Sequence, residues 1–329
     1  MPLDHALLIR TAAREGGELG AEDARVLFAA MLAGEVAPRE LSQILVAWQS
    51  RRASLAEMTG FMRALDTHTG RLEKPPEGPR PVLLPAYHGT RRQANLTALV
   101  ALLLRRYEVA VLVHGSAHMD AVLAGDERSA GVAANDANAD RVTTADVLWE
   151  LGVEPAASLA DAQARLRHDH IAYVPSALLA PGLARLFVSP TRDSLPAIAH
   201  SLALLIDPFG GAGYRVIGAA SADEMAAMRE FVLATRADAL LFQGAEGEPF
   251  ADPRHQPRLE HIAGGVVTLC ADAESDGIAP EPSLPAASDA VTTAAWIVDV
   301  LAGTEPVPLP IVMQLGCCLA GVRCQVAAG

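Results

Sequence analysis

Val82-Leu83-Leu84, Asn95-Leu96-Thr97-Ala98-Leu99-Val100-Ala101-Leu102-Leu103-Leu104-Arg105-Arg106 and Val109-Ala110-Val111-Leu112-Val113 follow one another in the first third of the chain. Two short apolar runs flank a longer apolar segment with polar ends. The short runs suit buried strands and the long one a buried helix. Strand, helix and strand over about thirty residues make a parallel-sheet unit.

Working outward, the alternation continues. Thr143 with Asp146, Ser158 with Asp161 and Ser221 with Glu224 are helix-capping pairs, and Gly152 is a helix stop. Ile171–Val174, Arg215–Ala219, Ala239–Phe242 and Val266–Cys270 are expected strands. Ser176–Phe187, Asp193–Leu205, Asp289–Leu301 and Leu309–Leu319 are expected helices. His114–Arg141 and Gln243–Gly265 are expected to be long loops.

Upstream, residues 1–72 show helical periodicity alone. Val26, Leu27, Ala30 and Met31 share one face. Leu41, Ile44, Leu45 and Trp48 follow Pro38, and Ser54 with Glu57 forms a capping box before Met58, Phe61, Met62 and Leu65. Prolines crowd the stretch from about 71 to 81, the expected hinge. The expected fold is a small all-helical domain plus a larger α/β domain with a mainly parallel sheet. Ligands of such sheets sit at the carboxyl ends of strands, which directs attention to the loops after Leu84, Val113 and Phe242.

Composition bounds the function. The chain has 329 residues, 51% hydrophobic, with a formal net charge of −13. That is enough apolar material for a sizeable core, and the net acidity opposes a general affinity for nucleic acid. The charge is uneven: residues 1–106 sum to +3 and residues 107–329 to −16. Lys74 is the one lysine among 26 cations. Cys270, Cys317, Cys318 and Cys324 show no CxxC spacing, so no disulfide framework is expected. No apolar run reaches the ~20 residues that a bilayer span needs, and Met-Pro-Leu-Asp-His does not open like a secretory signal. A cytoplasmic chain with no membrane partner is expected.

Three motifs carry candidate chemistry. In Tyr87–Thr97 a strand leads into a helix. His88, Gly89, Arg91, Arg92, Asn95 and Thr97 surround a helix N-terminus, where free N–H groups attract anions. His114-Gly115 follows the next strand. Its small-residue turn admits close backbone approach, and His114, His118 and Asp120 make a weak metal alternative. In Gln243–Arg258, Glu246 and Glu248 are candidate magnesium ligands, and Arg254 and Arg258 candidate phosphate ligands. Thr144-Ala145-Asp146 is explained by capping, and His200 by partial burial. There is no Gly-x-Ser-x-Gly, Walker loop or GxGxxG.

The order of these motifs resembles the TrpD-like group of glycosyltransferase family 3: anthranilate phosphoribosyltransferase and its relatives, with the nucleoside phosphorylases further off. Ala145-Asp146-Val147-Leu148-Trp149-Glu150-Leu151-Gly152 is similar to the family's Ala-Asp-Val-Leu-Glu-x-Leu-Gly, and Leu205-Ile206-Asp207-Pro208 to its Leu-Leu-Asn-Pro. Asn95-Leu96-Thr97 and His114-Gly115 fall where the family has Asn with hydroxyl residues and His-Gly. The resemblance implies a fold of the nucleoside phosphorylase and phosphoribosyltransferase type. Residues 1–72 form its helical domain, with helices from about 176–205 packing on it, and residues 82–175 and 206–329 form its α/β domain.

The departures point to the YbiB branch. The family's Gly-Thr-Gly-Gly-Asp is replaced by His88–Arg92, its lysine by Val113, and its Asp-Glu pair by Pro249-Phe250. Gly89-Thr90-Arg91-Arg92-Gln93-Ala94-Asn95-Leu96-Thr97 and Gly247-Glu248-Pro249 through Arg258 are similar to that branch's own motifs. The resemblance to it implies a homodimer, paired through the helical domain, that binds DNA and RNA without sequence preference and lacks anthranilate transfer. On that expectation Arg51, Arg52, Arg63, Arg71, Lys74, Arg80, Arg91 and Arg92 line a phosphate-neutralising groove. No residue is assigned a catalytic role and no cofactor is expected. The alternative is a phosphoribosyl or glycosyl transferase with an unknown acceptor, using phosphoribosyl diphosphate and magnesium.

Overall fold

The computed structural model describes residues 5–14, 17–49, 51–115, 141–187, 197–274 and 281–323. Of the expected loop over His114–Arg141, residues 116–140, with His118 and Asp120, lie outside the described residues, as does Cys324.

Four helices open the chain: α1 (His5–Ala12), α2 (Ala21–Ala33), α3 (Pro38–Gln49) and α4 (Leu55–Thr67). Gly34 ends α2 in the left-handed conformation, with φ +78°. Ser54 and Glu57 form the capping box of α4. Glu57 does more than cap: fully buried, it also accepts from Leu19 N at 3.1 Å and from both terminal nitrogens of Arg51 at 2.6 and 2.7 Å. The α1–α4 bundle is thereby pinned by one carboxylate.

The α/β part then runs β1 (Val82–Ala86), α5 (Thr97–Arg106), β2 (Val111–Gly115), α6 (Thr144–Glu150), α7 (Leu159–His168), β3 (Ile171–Pro175), α8 (Ser176–Leu179), α9 (Pro181–Phe187), α10 (Ala197–Leu204) and β4 (Tyr214–Ala219). It closes with α11 (Ala222–Ala234), β5 (Ala239–Gln243), β6 (Leu259–Ala263), β7 (Val266–Ala271), α12 (Ala290–Ala302) and α13 (Leu309–Arg323). The sheet order is β3-β2-β1-β4-β5-β6-β7. The first five strands in that order pair in parallel and the last two are antiparallel. Val82 faces Val111 across β1 and β2, and Val216 faces Leu240 across β4 and β5.

Two differences from the sequence reading have physical causes. The expected helix over Ser176–Phe187 is two helices, because Pro181 opens the second and leaves Ala180 between them. The expected loop over Gln243–Gly265 contains β6, whose second residue is a glutamate. Glu260 is buried at the sheet because Arg229 and Arg258 pair with it at 2.6 and 2.9 Å. A charge satisfied in space reads as a loop residue in sequence.

Alternation along the strands divides the core. Leu83, Leu112, Ile217 and Leu241 face one side and join the cluster of Phe28, Trp48, Phe61 and Leu65 from the helical bundle. Val82, Leu84, Val113, Val216 and Phe242 face the other side, with Leu99, Ile297 and Ile311 from α5, α12 and α13. The helical segment therefore shares its core with one face of the sheet. α9 adds to this seam: Arg185 donates to Leu32 O at 2.6 Å, and Gly182 lies so close to Leu32 that a Cβ would sit 2.6 Å from its carbonyl oxygen. No helix among the described residues is long and apolar enough to cross a membrane.

Candidate functional site

β1 is central to the parallel part of the sheet, with β2 and β3 on one side and β4 and β5 on the other. The direction of winding reverses between β1 and β4, and ligand crevices of doubly wound sheets form at that reversal. Two turns meet there: His88 to Asn95 after β1, and Ala220–Ser221 after β4. Above them lies a cleft of about 480 Å³, lined by Arg51 and Met58 of the bundle, His200 of α10, and Met228 and Phe231 of α11, with His88 also at its wall.

Beside His88 is a cradle of hydrogen-bond donors. His88 N and Gly89 N both lie 2.8 Å from Glu248 Oε1 and donate to it. Thr144 Oγ1 donates to Glu248 Oε2 at 2.8 Å, and Asn95 Nδ2 and Thr97 Oγ1 do so at 3.3 Å. Glu248 is fully buried. Asn95 also accepts: its Oδ1 takes a hydrogen bond from Thr97 N at 3.2 Å, beside the start of α5. One step outward, Glu246 accepts from Arg91 N and Arg92 N at 3.2 and 2.9 Å. The donors of this turn, where the sequence reading expects a phosphate, face the chain's own carboxylates.

Those bonds correct the reading of Glu246 and Glu248 as magnesium ligands. Both oxygens of Glu248 face donors, and a cation has no place among five N–H and O–H groups. Among the described residues no group of three or more His, Cys, Asp or Glu is placed to hold a metal ion. The residues here do not fit magnesium.

The loop that delivers Glu248 is tightly built. Gly218 and Gly244 let its backbone approach, since a Cβ on either would collide with Glu248 O. Glu246 adopts a left-handed conformation with φ 52°, unusual for a side-chain-bearing residue. Gln314 of α13 holds the far side, accepting from Ala251 N at 2.8 Å and donating to Pro249 O at 2.9 Å.

A histidine network lies under the cleft. His200 Nε2 and His88 Nδ1 are 2.9 Å apart, and His114 Nδ1 meets Tyr87 OH at 3.0 Å. Burial pushes His88 down, against the opposing pull of Glu248. Burial and then the proximity of His88 push His200 well below the ordinary histidine value. His114 falls to about 3 through burial and then the charge of Arg215, and its Nε2 has no partner among the described residues. The sequence reading explains His200 by partial burial and places it outside the site, whereas the structure brings it to the cleft wall. An imidazole on an apolar helix carries no signal of what it faces.

The His114 shift has a consequence for stability. The unfolded chain takes up a proton here below about pH 6.5, whereas the folded chain resists until about pH 3. Stability therefore falls as the pH drops through this window, by about 1.4 kcal/mol per pH unit for each such imidazole. Urea unfolding at about pH 6.5 and about pH 5 is expected to show the fall, and His114→Gln to flatten its slope by about one proton. An unchanged slope would place the proton uptake elsewhere.

The remaining expected site residues scatter. Gly115 sits at the end of β2 and its carbonyl accepts from Ser176 Oγ at 2.7 Å. Arg51 and Arg52 reach the cleft, paired with Glu57 at 2.6 Å and Asp223 at 2.8 Å. Arg258 pairs with Glu260 and Asp272 beside a second cavity of about 300 Å³, and Arg254 lies 4.0 Å from Glu281.

A family model described as the glycosyl transferase family helical bundle domain matches residues 9–69. The protein YbiB of Escherichia coli (strain K12) is 33% identical over 304 residues, which cover 92% of this chain and 88% of YbiB. This chain belongs to the YbiB branch of the TrpD-like proteins. The anthranilate phosphoribosyltransferase of Rhodopirellula baltica is 27% identical over 215 residues, 64% of this chain and 56% of that enzyme. Two solved anthranilate phosphoribosyltransferases share the TrpD-like fold. That of Thermus thermophilus has a TM-score of 0.72 at 20% identity, covering 96% of this chain and 89% of its own. That of Saccharomyces cerevisiae, in complex with PRPP and Mg, has a TM-score of 0.69 at 10% identity, covering 97% and 88%.

The expected binding of DNA and RNA is corrected here. These matches align the chain with YbiB and with phosphoribosyltransferases, and none of them supports a nucleic-acid function. Electrostatics agrees. Four of the eight cations expected to line a groove are taken up by the chain's own carboxylates: Arg51 by Glu57, Arg52 by Asp223, Arg71 by Asp66 and Arg80 by Asp238. The cradle expected to receive a backbone phosphate holds Glu248.

Proposed function

We propose that this chain transfers a phosphoribosyl or related glycosyl group to an acceptor bound in the cleft beneath the helical bundle. The observation that carries this reading is the cradle of backbone and hydroxyl donors at the reversal of the sheet. His88 belongs both to it and to the cleft. Donors fixed in this way stabilise the charge that collects on a departing phosphate or diphosphate as the anomeric C–O bond breaks and the acceptor's bond forms. Kinship to anthranilate phosphoribosyltransferases supports the same chemistry.

The cleft wall narrows the acceptor. Leu55, Met58 and Phe231 are apolar, and Glu224 and Glu230 add negative charge, while Arg51 and Arg52 are already paired. A flat apolar acceptor with donor groups suits this wall, whereas a carboxylate such as that of anthranilate meets like charge. Pairing of two copies through the helical domain belongs to this reading, and Val46, exposed on α3, is an apolar side chain it would cover.

The test is pyrophosphate release from phosphoribosyl diphosphate at up to about 1 mM, the upper range of ordinary KM values. Aromatic amines and nucleobases are offered in turn, with magnesium in the buffer. Acceptor-dependent release is expected, and anthranilate is expected to be inert. Neither binding nor release with any acceptor would end this reading.

A further inference from the structure

The cradle is complete, buried and occupied by a side chain. Five donors from two segments converge on one carboxylate: His88 N, Gly89 N, Asn95 Nδ2 and Thr97 Oγ1 from the β1–α5 turn, and Thr144 Oγ1 from the start of α6. A carboxylate is flat and offers two oxygens, while a phosphoryl group offers three to the same donors. Next to the cradle, Thr90 Oγ1 is buried without a partner among the described residues.

Glu248 arrives on a tightly packed loop whose one strained residue lies beside it. Gly244 and Gly247 bracket the turn, and Gly247 has φ +87°. Between them Glu246 is held in the left-handed region, a conformation that costs ~1 kcal/mol or more and persists where surrounding bonds enforce it. The bonds that enforce it are those of Glu246 to Arg91 N and Arg92 N, and of Glu248 in the cradle. Release of the carboxylates relieves the backbone. Beyond Pro249, Gln314 keeps the chain in place, so the motion is confined to a few residues.

We propose that Glu248 is the resident anion of an oxyanion-binding cradle, and that a phosphoryl or pyrophosphoryl group enters only when Glu248 leaves it. The inference rests on the glycosyl-transfer reading for the identity of the ligand. It adds that the site is closed in this structure by the chain's own carboxylate, which competes with the ligand at very high effective concentration. Unliganded chain is thus in a shut state, and a tightly binding phosphorylated ligand opens it at a cost in apparent affinity.

The experiment uses inorganic pyrophosphate, without magnesium, at about 5 mM against chloride of matched ionic strength, and reads thermal unfolding of the full chain. Glu248→Ala is expected to gain about 5 °C on addition of pyrophosphate, and the unaltered chain less than about 1 °C. Adding Thr144→Val to Glu248→Ala is expected to remove most of the gain, because one donor of the cradle is lost. Should Glu248→Ala fail to fold, Glu248→Ser, which also vacates the cradle, is read in the same way. An equal gain in the unaltered chain would show that Glu248 does not gate the site. No gain in a folded Glu248 variant would show that the cradle is not an oxyanion site. Pyrophosphate carries no sugar, so a gain without transfer removes the transferase reading alone, and transfer without a gain removes the gate alone.

Discussion

Glu57→Ala is expected to lose about 3–5 kcal/mol of stability, the usual cost of breaking a buried ion pair by removing one partner. The variant strands the Arg51 guanidinium, which donates to Glu57 at 2.6 and 2.7 Å, and leaves the Leu19 and Ser54 amides without their acceptor. In the folded chain burial pushes the Glu57 carboxyl upward, but Arg51 and the two amides outweigh it and hold the carboxyl below its ordinary range. This stabilisation is therefore present above about pH 4.5 and is lost as the pH falls through the depressed value. Urea unfolding at neutral pH checks the loss, and a change below about 1 kcal/mol would show that the bundle does not depend on this pair. Arg51 also lines the cleft, so the variant is expected to loosen the wall that the proposed acceptor meets.

The second large effect is expected at Asp207, where the family resemblance anticipates asparagine. Its two oxygens accept from Phe209 N, Gly211 N and Gly213 N at 2.9, 3.1 and 3.2 Å and face Arg215 at 3.3 Å. The turn that launches β4 is thus folded around one carboxylate. Asp207→Ala is expected to cost about 3–5 kcal/mol, because it unties the turn and leaves the Arg215 guanidinium half of a broken buried pair. Asp207→Asn is expected to cost about half as much, since an amide oxygen still serves the backbone N–H groups. Equal losses in the two variants, measured by the same unfolding experiment, would assign the whole effect to the charge.

Both cases show how far residues alone carry the reading. The capping box of Ser54 and Glu57 is legible because its parts are three residues apart. The partnership of Glu57 with Leu19 is not, because 38 residues separate them. The apolar run in α5 is legible as a buried helix, since nearly its whole surface is covered. β6 is not legible, because the pairing of Glu260 with Arg229 exists only in space. Likewise the Tyr87–Thr97 turn is legible as a strand-to-helix turn with free N–H donors from its place in the chain. Its occupant is not, because Glu248 lies 153 residues beyond Asn95 along the chain.

Sequence by itself determined most of the element types, the capped helix starts, the mainly parallel character of the sheet and the kinship to the TrpD-like proteins. These depend on local periodicity, capping and ordered motifs, all written within short spans of chain. Tertiary structure alone decided three things: that the sheet reverses between β1 and β4 and so sets the cleft there, that Arg51 and Arg52 at the cleft are paired with Glu57 and Asp223, and that Glu248 fills the cradle. Each is a matter of which distant groups meet. Charge and hydrogen bonding act through distances of about 3 Å, and a linear sequence does not contain those distances.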